Sequence, residues 1–175
     1  MSLDIETTAD DERGSIISIG LVNLQTREDI YRVVDVSKGA FCKPAAFEVN
    51  GFDLRKLGCR DLVSRDVLDL WLHGWIPAGA VPFGRGISYF DMKFIKKDLP
   101  LTAARFNRRI FDLWGYMYGV SQTESIEPCR LYELAKHFAE EKIQQLNKNL
   151  SGWGPHHALY DAWENVFVLE YLNGI

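Results

Sequence analysis

The sequence predicts an α/β fold: a central mixed β-sheet, with three leading antiparallel strands followed by parallel ones, flanked by helices. Two observations carry that prediction. Three short segments rich in Ile and Val open the chain with brief turn signals between them, and from Ser64 onward strand-like segments alternate with stretches at helical apolar spacing. The length of 175 residues suits one compact domain with a sizeable core, so residues 1–175 are expected to form a single domain.

Met1–Glu6 reads as a short strand, Ser15–Leu24 as a second, and Asp29–Val36 as a third carrying Ile30, Tyr31, Val33 and Val34. The polar stretches Asp10–Gly14 and Gln25–Glu28 are short enough for antiparallel hairpins. Only three residues precede Asp4, which is short for a central strand and fits native residues upstream of Met1. Ser64–His73 places Val67, Leu68, Trp71 and Leu72 on one helical face. Ala80–Arg85 reads as a fourth strand, Phe90–Lys97 as a helix and Arg108–Leu113 as a further strand. Leu131–Leu146 is expected helical with Leu131, Leu134, Ala135, Phe138 and Ile143 inward. Ala158–Leu172 is the last helix, striped by Leu159, Ala162, Trp163, Val166 and Leu169. The Trp71–Trp75 stretch is open between an interface and buried packing.

Composition narrows the classes. Apolar residues make up 47% and charged residues 25%, which excludes a disordered or fibrous chain. Cys42, Cys59 and Cys129 are far apart without finger or redox spacing, so free thiols in a reducing compartment are expected. No apolar run approaches a membrane span, and the opening residues lack the basic start of a secretion signal; the expected location is cytoplasmic, with no membrane partner. A net charge of −4 argues against a non-specific binder wrapped along duplex DNA, yet allows an enzyme that grips a few nucleotides.

Three acidic groups carry the chemistry. Asp4 and Glu6 form D-x-E on a strand, so both carboxylates project to one side while Leu3 and Ile5 enter the core. Two such carboxylates repel unless a cation sits between them; the bland alternative is a solvated strand end. Asp91 follows Phe83-Gly84-Arg85-Gly86-Ile87-Ser88-Tyr89-Phe90, where a strand enters a glycine-bearing turn. It is either a carboxylate brought to the edge of the sheet or a helix-capping aspartate. Gly84 and Gly86 lack the third glycine of a dinucleotide fingerprint. Asp161 falls in the first turn of the last helix, with His156 in the loop before it. A histidine there suits a general base, or else the pair is a helix N-terminal cluster.

Taken together, these segments resemble the DEDDh exonucleases, DnaQ-like enzymes on a ribonuclease H-like fold that include RNase T, oligoribonuclease and proofreading subunits. Asp4-Ile5-Glu6-Thr7-Thr8 is similar to the family's D-x-E-T-T-G, with Ala9 in place of the glycine. Ile16–Val22 resembles its second strand, and Phe90-Asp91 with Phe94-Ile95 its second motif, although Gly84-Arg85-Gly86-Ile87-Ser88 replaces the commoner His-Asn lead-in. His156-His157-Ala158-Leu159-Tyr160-Asp161-Ala162 matches H-x4-D, and that spacing assigns His156 rather than His157 as the base. Weaker similarity at Glu48–Phe52, Ile110–Leu113 and Leu131–Ala135 extends the likeness over nearly the whole chain.

The resemblance implies a 3′→5′ exonuclease that releases nucleoside monophosphates from the 3′ end of single-stranded nucleic acid, as a monomer or homodimer. Asp4, Glu6, Asp91 and Asp161 would hold two divalent cations, Mg²⁺ or Mn²⁺, which suit all-oxygen ligation. In that scheme Asp91 acts through bound waters and His156 takes the proton from the attacking water. Thr7 and Thr8 would meet the 3′ nucleotide through backbone groups, and Phe90 or Phe52 would stack a base. Arg85, Lys93, Lys96, Lys97, Arg105, Arg108 and Arg109 surround the second motif, either lining the phosphate path or solvating a helix face. An exoribonuclease on RNA ends and a catalytically silent nucleic-acid-binding module are the competing readings.

Overall fold

The computed structural model describes residues 1–36, 40–52, 62–146 and 156–175. Six strands form one sheet: β1 (Ser2–Thr7), β2 (Ile16–Val22), β3 (Asp29–Val34), β4 (Leu62–Val63), β5 (Phe83–Gly84) and β6 (Phe111–Asp112). Their order is β4-β3-β2-β1-β5-β6. β1, β2 and β3 pair antiparallel, whereas β4 joins β3, β5 joins β1 and β6 joins β5 in parallel. β1 is thus an inner strand, and the carboxyl ends of β1, β5 and β6 share one edge, the edge where open α/β sheets place their ligands.

Seven helices are described: α1 (Pro44–Asn50), α2 (Arg65–Trp75), α3 (Asp91–Asp98), α4 (Pro100–Arg105), α5 (Leu113–Thr123), α6 (Pro128–Gln145) and α7 (Ala158–Asn173). Two apolar cores lie on opposite faces of the sheet. Leu3, Ile5, Ile19 and Leu21 pack with Leu68, Leu72, Phe94 and Ile95 from α2 and α3. Val22 and Phe83 pack with Met117, Leu131, Ala135 and Trp163 from α5, α6 and α7. The period-two alternation of β1 therefore commits Leu3 and Ile5 to the α2–α3 side, and Ser2, Asp4 and Glu6 to the α7 side. Ser2 confirms the direction by donating its hydroxyl hydrogen to the Ala162 carbonyl at 2.7 Å.

The last helix comes unusually close to the sheet at Gly20, the β2 residue paired with Asp4. A Cβ at Gly20 would stand 2.2 Å from the Ala158 carbonyl oxygen and 2.4 Å from Leu159 N. The bare α-carbon lets the first turn of α7, and with it Asp161, settle beside Asp4. A second close approach lies at Ala9, which is fully buried: the chain returns past its backbone at Gly14, where a Cβ would meet the Ala9 carbonyl oxygen at 2.5 Å.

Several expected elements shift for local reasons. The strand expected over Arg108–Leu113 shrinks to Phe111–Asp112, because Asp112 accepts from Trp114 N at 3.0 Å and caps α5, a helix the pattern did not reveal. The strand expected over Ala80–Arg85 reduces to Phe83–Gly84 plus a bridge between Ala80 and Phe106. α6 starts three residues before the expected Leu131, since Glu127 accepts from Arg130 N and Pro128 occupies the first turn. Leu134 and Phe138, expected inward on it, are half-buried. α4 opens on Pro100, with its first amides satisfied from a distance by Asp69 of α2, at 3.0 and 2.7 Å to Leu101 N and Thr102 N. α1 and β4 likewise were not foreseen. In the Trp71–Trp75 stretch, Leu72 is buried and Trp75 half-buried, while Trp71 is exposed beneath the Arg32 guanidinium. No helix among the described residues is long and apolar enough to cross a membrane. Cys42 and Cys129 are free thiols, and Cys59 lies outside the described residues.

Gly20→Ala should cost about 3 kcal/mol or more in urea unfolding, the upper end of overpacking, because a methyl group there meets backbone and not a movable side chain. A change under about 0.5 kcal/mol would show that α7 does not depend on this approach.

Candidate active site

A cleft of about 620 Å³ opens at the carboxyl edge of β1 and β5. Its lining includes Asp4, Glu6, Asp10, Asp91, Asp161 and Glu164, six carboxylates from three parts of the chain. Each arrives by a different local rule. Asp4 and Glu6 come from the alternation of β1. Asp91 is the first residue of α3, and its Oδ1 accepts from Ile5 N at 3.1 Å, tying that helix end to the middle of β1. It does not occupy the capping position, which falls to Phe90. Asp161 and Glu164 stand three residues apart on α7, a helix buried on nearly every side from Ala158 to Val168.

Glu6, His156 and Asp161 offer ligand atoms that all lie within 4.8 Å of one another. His156 takes the left-handed backbone conformation, φ 66°, and its N–H donates to Asp161 Oδ2 at 2.8 Å. His157 goes elsewhere: it stands at the N-cap of α7 with its ring 4.3 Å from that of Tyr31 on β3. Pro155, the residue before the histidine pair, lies outside the described residues.

The electrostatics follow from burial. Removal from water raises the Asp4 carboxyl well above its ordinary range, and neighbouring Asp161, Asp91 and Glu6 push it further. Burial, then Asp161 and Asp91, carry Glu6 up to about 8. Burial also lifts Asp91 to about 7 against the pull of its backbone hydrogen bonds. Asp161 rises to about 6, held back by Arg85. Without a cation the cleft is therefore a set of carboxyls that resist ionising together.

The donor set fits hard divalent cations: Asp4, Glu6, Asp91 and Asp161 offer oxygen and His156 offers nitrogen, while the Glu164 carboxylate is taken up by Arg85. Metal binding to such a cluster is coupled to loss of protons.

Other expected contacts divide. Thr7, Phe90 and Arg85 line the cleft. Thr8 does not: its hydroxyl donates to Phe41 O, its N–H to Ser15 O, and its carbonyl accepts from Lys43 N, so its polar groups are already used in the fold. Phe52 lies just past the end of α1, outside the cleft lining. Of the seven expected cations, Arg85 alone lines the cleft; Lys97 reaches the Glu12 and Gly14 carbonyls and Arg105 the Ile76 carbonyl at 2.9 Å. Pattern reading missed Lys43 and Lys136, the other two cations at the cleft, and the aromatic side chains Tyr89, Trp114 and Tyr132. Tyr132 and Lys136 share one face of α6 at i,i+4, a signal present in the sequence but without a partner to give it meaning. Glu164, three residues after Asp161, was legible in the same way.

No family model and no curated protein matches the sequence. Among solved structures, the chain matches a moderately thermophilic exonuclease I from Methylocaldum szegediense with a TM-score of 0.71 and 15% identity. The match covers 99% of this chain and 40% of that one. The two share a fold. The mixed sheet flanked by helices is thus the ribonuclease H-like architecture, and the present chain spans about 40% of the length of that exonuclease.

Stability should register the crowded carboxyls. A carboxyl whose folded value is raised stabilises the folded state at low pH and loses that contribution as pH climbs through the folded value. In chelator, the melting temperature should fall as pH is raised from about 4.5, the ordinary value of Glu6, through about 8. Mn²⁺ should restore more stability at pH 8 than at pH 5.5. A chelated protein whose melting temperature rises across that interval would contradict the crowding.

Proposed function

We propose that the chain is a metal-dependent 3′→5′ exonuclease that releases nucleoside monophosphates from single-stranded nucleic acid. The observation that carries this reading is the convergence of Asp4, Glu6, Asp91 and Asp161 on one cleft with His156 at its mouth. These are the positions matched to the DEDDh pattern, and the shared fold with an exonuclease I supports it. Fold alone does not determine activity, so the site bears the weight.

Asp4, Glu6, Asp91 and Asp161 would hold two divalent cations, Mg²⁺ or Mn²⁺. When bound, such ions neutralise the phosphate and lower the pKa of water. His156 accepts the proton of the attacking water; its place in a loop next to Glu6 and Asp161 suits that task, and His157, packed on Tyr31, is set aside from it. Lys43 and Lys136, which line the cleft, would offer positive charge to the strand's phosphates, and Thr7 beside them would meet the 3′ nucleotide through backbone groups. Phe90, at the cleft wall, offers a face for a base.

Matched RNA and DNA oligonucleotides labelled at the 5′ end should shorten stepwise from the 3′ end with Mg²⁺ or Mn²⁺ and stay intact in chelator. Comparing the two sugars decides between a general exonuclease and an exoribonuclease. Asp4→Asn should cut the rate by several orders of magnitude, on the scale of about 10³ or more expected for a shared metal ligand. Full activity in excess chelator would sink the metal-dependent reading.

The histidines give a second test. His156→Ala should lower kcat by roughly 10²–10⁴, the usual worth of a positioned general base, with Mn²⁺ affinity changed far less. His157→Ala should leave kcat within a few fold and lower the melting temperature modestly through the lost Tyr31 contact. The reverse pattern would move the base to His157.

A further inference from the structure

Asp161 is approached on both of its oxygens. The His156 N–H donates to Oδ2 at 2.8 Å, and the Arg85 guanidinium stands 3.8 Å from Oδ1. Arg85 is itself mounted. Its Nη1 pairs with Glu164 at 2.6 Å and donates to the Tyr132 hydroxyl, while Nε donates to Asn165 Oδ1 at 2.9 Å. The side chain therefore leaves the end of β5 and joins α6 and α7 at one point, directly behind the carboxylate that faces Glu6 and His156.

The mount is costly to build. Glu164 is 1% exposed, so its charge has no access to water and depends on the Arg85 guanidinium. An apolar residue one turn beyond Asp161 would complete the α7 packing without that demand. A planar fork with several donors is needed for these contacts, and a lysine ammonium on its flexible stem could not hold them in a fixed plane. Arg85 lines the cleft and spends its donors on Glu164, Tyr132 and Asn165.

We propose that Arg85 is a positioning residue: it fixes the Asp161 carboxylate for a divalent cation, with Glu164, Asn165 and Tyr132 as its mount. This rests on the nuclease reading for the identity of the ligand. The sign of one measurement separates it from two simpler accounts. A guanidinium 3.8 Å from a ligand oxygen repels an arriving cation, so if charge alone mattered, removing it would tighten cation binding. If the Arg85–Glu164 pair were only structural, neutralising both partners would restore stability and cation affinity together. Positioning predicts that stability returns and affinity does not.

The experiment is Mn²⁺ titration by calorimetry on the full chain, with melting temperatures measured alongside, for the parent, Arg85→Met, Arg85→Lys and the double variant Arg85→Met/Glu164→Met. Arg85→Met should melt lower and bind Mn²⁺ about 10–100-fold more weakly, the usual effect of losing a partner that orients a metal ligand. Arg85→Lys should fall between it and the parent. The double variant should regain most of the lost melting temperature and keep the weakened Mn²⁺ affinity. Parental affinity in the double variant, or tighter Mn²⁺ binding by Arg85→Met, overturns the positioning role while leaving the cation site intact. If Arg85→Met does not fold, the double variant alone decides. Absence of Mn²⁺ binding by the parent overturns the cation site and this role with it.

Discussion

Four carboxylates, Asp4, Glu6, Asp91 and Asp161, gathered in one partly dehydrated cleft form the constraint around which the rest of the molecule is arranged. Burial alone disfavours each charge, and every neighbour adds repulsion, so the ion-free cleft relieves itself by holding protons on groups that would ordinarily have lost them. Among the described residues, the cations that line the cleft are Arg85, Lys43 and Lys136. A surface with that much unbalanced charge is stable only where apolar packing elsewhere exceeds its cost. The two cores on opposite faces of the sheet provide it, with Leu3, Ile5, Phe94 and Trp163 fully or nearly fully buried within a few residues of the acidic groups.

Convergence of these groups depends on close backbone approach. β1 presents Asp4 and Glu6 toward α7 because its alternate residues are needed on the other side. α7 can answer with Asp161 because Gly20 lets its first turn lie against β2 opposite Asp4. Asp91 is brought in from the other helical layer by a hydrogen bond to the amide of Ile5, the residue between the two strand carboxylates. The rim is built differently. α1 has no buried residue and is attached through polar contacts, among them Asn50 to the Thr7 carbonyl and Lys43 to Asp10 and Asp11. The acidic floor is therefore anchored in the two cores, and the wall that α1 forms is attached more lightly.

Sharing a fold with an exonuclease I at 15% identity means that the architecture survives when most side chains differ. Arg85 stands in the segment that departs from the His-Asn lead-in of the DEDDh pattern, and Glu164 on α7 takes up its charge. Such a pairing is invisible along the chain and plain across it.

Much of the architecture was legible from the sequence because it is encoded locally, in the Ile- and Val-rich first strands and the helical stripe of α6; of the stripe expected on α2, Leu68 and Leu72 are buried while Val67 and Trp71 are exposed. Asp4 and Glu6 share one side because of the strand repeat, whereas the grouping of Asp91, Asp161 and His156 with them came from the resemblance to the DEDDh pattern, since no spacing along the chain joins them. What tertiary structure decided was everything that depends on a distant partner. α4 forms behind a proline because Asp69 of α2 caps it, and the backbone groups of Thr8, expected to meet the 3′ nucleotide, are spent on Ser15 and Lys43. Arg85 points inward because a buried carboxylate on α7 demands it, and Lys43 and Lys136, unremarked in the sequence, become the cations of the cleft. Charge placement is a property of three-dimensional distance and dehydration, and neither quantity is written in the order of residues.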